Sequence, residues 1–242
     1  MTAYNIIKVN ATKSTNDKVK MLIKSKKINN KDVISAKYQY KGKGQLARRW
    51  FSSYGNNLLC SLYLEFTKGY NSPIYGLYFA TSLSVLKTVN FFSKEKSFIK
   101  WPNDILSENK KISGILIENN FKNSDLSYSI IGAGINVNQT RFNSLKHATS
   151  LKKINGKNID LDEVLDQLLK NYDTYFKRIH DIRYLSKEFN QNLYGKNKCK
   201  FLIKEKIFNG KVERVLYNGN LVAKLENIGS KEFKSSEIKI IY

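Results

Sequence analysis

The sequence predicts an α+β protein that ends in a small all-β module. Three observations carry that expectation. Helical and strand-like hydrophobic periodicities alternate through residues 1–193. Two long apolar strand candidates, "NLLCSLYLEF" (57–66) and "LSYSIIGAGINVN" (126–138), lie inside that region. From Tyr194 onward the period switches to short alternating strands with turn residues between them. Residues 1–193 are therefore expected to form one domain and 194–242 a second, smaller one.

Taken in order, "STNDKVKMLIKSK" (14–26) predicts a helix opened by a capping box. Ser14 is its N-cap, Asp17 the N3 partner, and Val19, Leu22 and Ile23 form the apolar stripe. "DVISAKYQ" (32–39) predicts a strand running into a cationic, glycine-bearing loop, and 57–66 is the next strand. A turn at "KGYNSP" (68–73) precedes a helix over 74–92 that lacks a clean polar face. "SFIKWPND" (97–104) predicts a short strand stopped by Pro102, which has no N–H to donate to a ladder. "KKISGILIENN" (110–120) and 126–138 read as a hairpin around "NFKNSD". A helix over about 161–179 places Leu161, Val164, Leu165, Leu168, Leu169, Tyr172 and Phe176 on one face, and a shorter helix covers about 182–192. Five short strands then follow within 194–242, with Asn218-Gly219 as a hairpin turn, and predict a small barrel.

Composition narrows the function. A hydrophobic fraction of 41% and a charged fraction of 26% are those of an ordinary globular protein. No apolar run approaches the ~20 residues of a membrane span, and the N-terminus lacks the basic–apolar–small order of a signal peptide. Cys60 and Cys199 sit in strand-like contexts, which points to reduced thiols and a cytoplasmic protein. The net charge of +22 raises nucleic acid as a partner. Yet the 42 cations are nearly all lysine, spread along the chain, and lysine is the poorer choice for bidentate phosphate recognition.

Four clusters carry chemistry. Ser14-Thr15-Asn16 opens a helix, where such residues usually cap. The loop "YKGKGQLARRW" (40–50) offers Gly42 and Gly44 for close backbone approach to an anion, with Lys43, Arg48 and Arg49 adding charge. Its cationic, weakly apolar composition predicts a lid that orders on a ligand. Trp50 either anchors the loop or stacks on a purine. In "KWPND…KKISG" (100–114), a strand–turn–strand excursion brings Asp104 and Lys111 over one site, although surface Asp–Lys pairs are common and weak. In "IGAGINVN" (131–138), the glycines leave one sheet face open for a flat ligand, or mark a bulge.

In this order, and with "ATSL" at 148–151, these motifs strongly resemble biotin protein ligases, over nearly the whole chain. "KWPND" with "KKISGILIE" is highly specific for that family. The resemblance implies a mixed sheet flanked by helices, like that of class II tRNA synthetases, followed by an SH3-like barrel. It implies that biotin and ATP, with Mg2+, give biotinyl-5′-adenylate, which acylates a lysine of a biotin carboxyl carrier protein. By the same resemblance Ser14, Thr15, Asn16 and Gln39 bind biotin, with Lys43, Gly44, Gln45, Lys111 and Gly114 lining its pocket. Gly42, Gly44, Gln45, Arg48, Trp50, Asn103 and Asn136 hold the nucleotide, with Trp50 against adenine. Lys111, Asp104 and Arg48 are the catalytic set: Lys111 bridges carboxylate and α-phosphate, and Asp104 orients or deprotonates the incoming amine. The metal ligands stay open, as does a homodimer.

Two departures stand out. Gln45 replaces an arginine found in some members, and Ala47 replaces a further glycine. The few residues before Ser14 imply a ligase-only form without the DNA-binding domain of bifunctional members, hence no DNA partner; the short apolar runs imply no membrane. The alternatives are a lipoate or octanoyl transferase of related fold, which lacks the paired "KWPND…KKISG", and a basic RNA-binding protein.

Overall fold

The computed structural model describes residues 4–46, 48–66, 74–143 and 145–241; Ala47 and the expected turn at 68–73 lie outside them. Seven strands form a mixed sheet: β1 (Asn5–Thr12), β2 (Asp32–Gln39), β3 (Asn57–Glu65), β4 (Ser97–Lys100), β5 (Asp104–Ser107), β6 (Lys110–Lys122) and β7 (Asp125–Asn136). Their spatial order is β1-β2-β3-β7-β6-β5-β4. β1 and β2 run parallel, and every other neighbouring pair is antiparallel. β6 and β7 are the expected hairpin, turned at Asn123 and Ser124, which both hold positive φ (51° and 69°), as a tight two-residue connection requires.

Two strands go beyond the sequence expectation. β1 was not foreseen. The expected strand over 97–104 is interrupted: β4 ends at Lys100, Trp101-Pro102-Asn103 turns the chain, and Asp104 opens β5.

Alternation along β7 decides which face does what. Ile131, Ala133 and Ile135 point into the main core, beneath α2 (Ile74–Phe92). Gly132 and Gly134 point to the opposite face, where α1 (Thr15–Lys24) packs through Val19 on Ile34, Tyr63 and Ile130. α2 is buried nearly all round because α4 (Leu161–Phe176) and α5 (Ile182–Gln191) cover its outer side. α4 starts at an Asp160 N-cap, whose carboxylate accepts from Asp162 N and Glu163 N. A short α3 (Leu151–Asn155) precedes it. No described helix is long and apolar enough to cross a membrane.

β8 (Cys199–Ile203), β9 (Lys206–Val215), β10 (Leu221–Leu225), β11 (Gly229–Phe233) and β12 (Lys239–Ile241) form a second sheet, all antiparallel, in the order β11-β10-β9-β8-β12. This is the expected five-stranded module, consistent with an SH3-like unit; β11 and β12 are its edges among the described residues. One hydrophobic cluster runs from α2 and β7 into Phe201, Val212 and Leu221 of this sheet. Polar ties cross the same seam: Asn190 exchanges two bonds with the Val215 backbone (2.6 and 3.0 Å), and Trp101 Nε1 donates to Gly219 O (2.9 Å). Cys60 and Cys199 are free and buried, and burial pushes their thiols up to about 12 and about 11, so neither is a nucleophile at neutral pH.

Candidate active site

The glycine face of the large sheet is the floor of an open cavity of about 700 Å³. Adjacent rungs build it: Leu59, Gly134, Gly114 and Asp104 lie side by side across β3, β7, β6 and β5, with Ser61, Gly132 and Leu116 on the rung beside them. Neither glycine of β7 marks a bulge, since register with both neighbours continues through them. They are room for side chains. A Cβ at Gly134 would fall 2.7 Å from the Trp50 indole and one at Gly114 2.9 Å from it, while Asn16 fills the space over Gly132. The flat group seated on the glycines is thus the chain's own Trp50, which walls the cavity from its floor and anchors the loop that carries it.

A bulge between Ile105 and Leu106 places the reactive pair. Because Ile112 is inserted opposite the β5 ladder, Lys111 stands against Leu106 instead of Ser107. That one-residue shift brings Lys111 to the face of Asp104 and Gly114. Lys111 Nζ lies 2.5 Å from Asp104 Oδ1 and 5.4 Å from the Trp50 ring centroid. Its backbone is clamped by Lys111 N–H to His147 O (2.8 Å) and Thr149 N–H to Lys111 O (3.0 Å). Asn136 is buried one layer away and lines no part of this cavity; its Nδ2 donates to Thr149 O (3.0 Å), holding that clamp. Asn103 does line the cavity and pins Ile115 through two bonds, Nδ2 to Ile115 O and Ile115 N to Asn103 O.

At the other end, Ser14, Thr15 and Asn16 face the cavity beside Gln39. Here the capping box fails. Ser14 occupies the N-cap position, but its side chain bonds no helix N–H, and Asp17 instead pairs with Lys43 (2.6 Å). The cap function passes to Gln39, whose Oε1 accepts from Thr15 N (2.7 Å).

The described residues of the glycine loop pair as a ribbon. Gly44 N donates to Arg48 O and Trp50 N to Gly42 O, which sets the Lys43 and Arg49 backbones opposite each other. Gly44, Gln45 and Arg48 line the cavity; Gly42 is turned away from it, under Trp50 O, and borders a neighbouring cleft.

Sequence reading missed two contributions. Lys100 is 7% exposed and lies 3.8 Å from Asp104. Burial, more than its cationic neighbours Lys111, Lys239 and Arg48, pushes its ammonium down to about 8, while Asp104 opposes the fall. The second is the far wall, made by the C-terminal sheet through Lys204, Glu205 and 235–240. Cations from both sheets thus outnumber the carboxylates that face them, as a site for a polyanion requires.

The comparisons agree with this geometry. The profile of the "Biotin/lipoate A/B protein ligase family" matches residues 9–136. The bifunctional ligase/repressor BirA of Escherichia coli is 34% identical over 110 residues, 46% of this chain and 34% of that protein, so the chain aligns with about a third of that relative. A biotin–[acetyl-CoA-carboxylase] ligase of Mycobacterium tuberculosis is 26% identical over 147 residues, 58% of this chain and 52% of the relative. Among solved structures, the biotin protein ligase of Aquifex aeolicus, in complex with biotin and ATP, superposes with a TM-score of 0.81 at 28% identity, covering 98% of each chain. With its sheet, its glycine floor and a family profile spanning more than half of its residues, the chain belongs to the biotin/lipoate A/B protein ligase family.

Proposed function

We propose that the chain is a biotin protein ligase, forming biotinyl-5′-adenylate from biotin and ATP and passing the biotinyl group to a lysine of a biotin carboxyl carrier protein. The observation that carries this is one floor with two ends: a polar end at Ser14, Thr15 and Gln39, and a cationic end at Lys111 and Arg48. The extent of the likeness to a ligase solved with biotin and ATP supports it. The first step joins two anions, so a cation must sit between them. Lys111 takes that position, held by Asp104, and Arg48 lines the same cavity from the loop. The carboxylate oxygen attacks the α-phosphorus and pyrophosphate leaves. In the second step the acceptor amine attacks the acyl carbon and AMP leaves; Asp104 orients the amine and takes its proton. The remaining pocket roles follow position: Asn16, Lys43, Gly44, Gln45 and Gly114 around biotin, Asn103 beside the nucleotide.

No group of three or more His, Cys, Asp or Glu among the described residues could hold a metal by itself. Mg2+ fits here as part of the substrate Mg-ATP, held mainly by the phosphates. Residues 194–242 are read as a separate domain that closes the nucleotide side, and the buried free thiols suit a cytoplasmic enzyme.

Biotin-dependent exchange of labelled pyrophosphate into ATP tests the reading. Exchange with biotin and none with lipoate or octanoate is expected. Exchange driven by lipoate, or by neither acid, sinks it.

A further inference from the structure

The polar end of the cavity rests on a hydrogen-bond chain that begins at the protein surface. Lys20 and Glu118 form an ion pair (2.6 Å). The second Glu118 oxygen accepts from Asn16 Nδ2 (2.8 Å), and Leu116 O lies 3.4 Å from the same nitrogen. An amide nitrogen between two acceptors fixes which way the amide points. Asn16 Oδ1 must therefore face away from Glu118, where it meets Ser61 Oγ at 2.5 Å. Ser61 is fully buried on β3, outside the cavity lining, and its oxygen lies 2.7 Å from Thr15 Oγ1.

Three proton arrangements compete. In one, Ser61 donates to Thr15 and Thr15 donates to Gln39 Oε1, 3.1 Å away. That leaves Ser61 and Asn16 with two oxygens 2.5 Å apart and no proton between them. In a second, Ser61 donates to Asn16 and Thr15 to Gln39, which leaves Ser61 and Thr15 with oxygens 2.7 Å apart and no proton between them. In the third, Ser61 donates to Asn16 and Thr15 donates to Ser61. The two short contacts decide for the third, the one arrangement that puts a proton in both, while Gln39 Oε1 keeps the Thr15 N–H at 2.7 Å. With its proton engaged on Ser61, away from the cavity, the Thr15 oxygen has only lone pairs to offer to a ligand.

We propose that Glu118, Asn16 and Ser61 are positioning residues that set the Thr15 hydroxyl as an acceptor, so that the cavity selects a ligand presenting an N–H there over an isostere presenting an oxygen. The inference rests on the biotin ligase reading, in which a cyclic urea with two ring N–H groups occupies this end. An oxygen in place of the N–H facing Thr15 would set lone pairs against lone pairs.

The test is calorimetric binding of biotin and of its two cyclic carbamate isomers, each with one ring N–H replaced by oxygen. The wild-type protein is expected to bind one isomer at least about tenfold more weakly than the other. Ser61→Ala frees the Thr15 proton and should collapse that ratio towards one. Glu118→Gln still offers Asn16 an acceptor and should keep the ratio. Glu118→Lys presents a donor, turns the Asn16 amide and should cut the ratio at least about fivefold, although residue 118 lies outside the cavity lining. A merely structural role lowers affinity for all three ligands alike and leaves the ratio intact, which overturns the relay. Wild-type protein that binds none of the three defeats the ligase reading and the relay with it.

Discussion

Lys111 meets two demands at once. In the proposed reaction it meets an incoming pair of anions, and it must be in place before they arrive. Asp104, 2.5 Å away, and the Trp50 face hold its ammonium there. Lys111→Ala should therefore remove about 3 kcal/mol or more of transition-state stabilisation, roughly a hundredfold in single-turnover adenylate formation, with a smaller change in biotin affinity. A variant within twofold of wild type refutes the bridging role. Lys100 makes a different, pH-dependent prediction. Its folded pKa of about 8 lies below the ordinary ~10.4 of a lysine. Between those two values the unfolded chain binds more protons than the folded one, so stability attributable to Lys100 rises with pH across that window. Urea titrations at pH 7.5 and 9.5 should show wild type gaining on Lys100→Met as pH rises; a constant difference means Lys100 titrates normally. Its role escaped sequence reading because a lone lysine before a tryptophan says nothing about burial, which tertiary packing alone supplies.

Elements built from long, regular patterns were legible. The helix of Ile74–Phe92 and the β6–β7 hairpin are where the apolar pattern placed them. The missed elements each lack such a pattern. β1 is an edge strand, half exposed and paired on one side only, so it shows little apolar alternation. β5 has four residues and owes its register to a bulge that no residue type announces. The capping box failed because Gln39 accepts from Thr15 N in place of the cap and Asp17 pairs with Lys43, 26 residues away. That same pair, with the ribbon bonds at Gly42 and Gly44, is why the cationic loop holds a shape its composition disfavours. Gln45 remains its weak point in the proposed reaction: an amide can donate hydrogen bonds to a phosphate but brings no charge. Gln45→Arg should slow release of adenylate from a preformed complex and reduce biotin incorporation into a non-cognate protein. If both are unchanged, the loop does not retain the intermediate.

The whole molecule carries +22, and its cavity draws cations from both sheets. Long-range attraction between exposed charges fades beyond a Debye length of about 8 Å at physiological salt. Transfer to an acidic carrier domain should therefore slow as salt is added, while adenylate formation, inside the cavity, changes much less. Equal salt slopes for the two half-reactions would leave the charge as composition without function. An apolar cluster spans the seam between the sheets, with polar ties beside it, so the far wall of the site is positioned by the same core that supports its floor. The two tryptophans happen to fall one on each structure: Trp50 on the floor beneath Lys111, Trp101 at the seam with its indole N–H on Gly219. Both indoles also border the cavity, so the protein contains its own optical probes of occupancy, and replacing Trp101 with phenylalanine isolates the signal of Trp50.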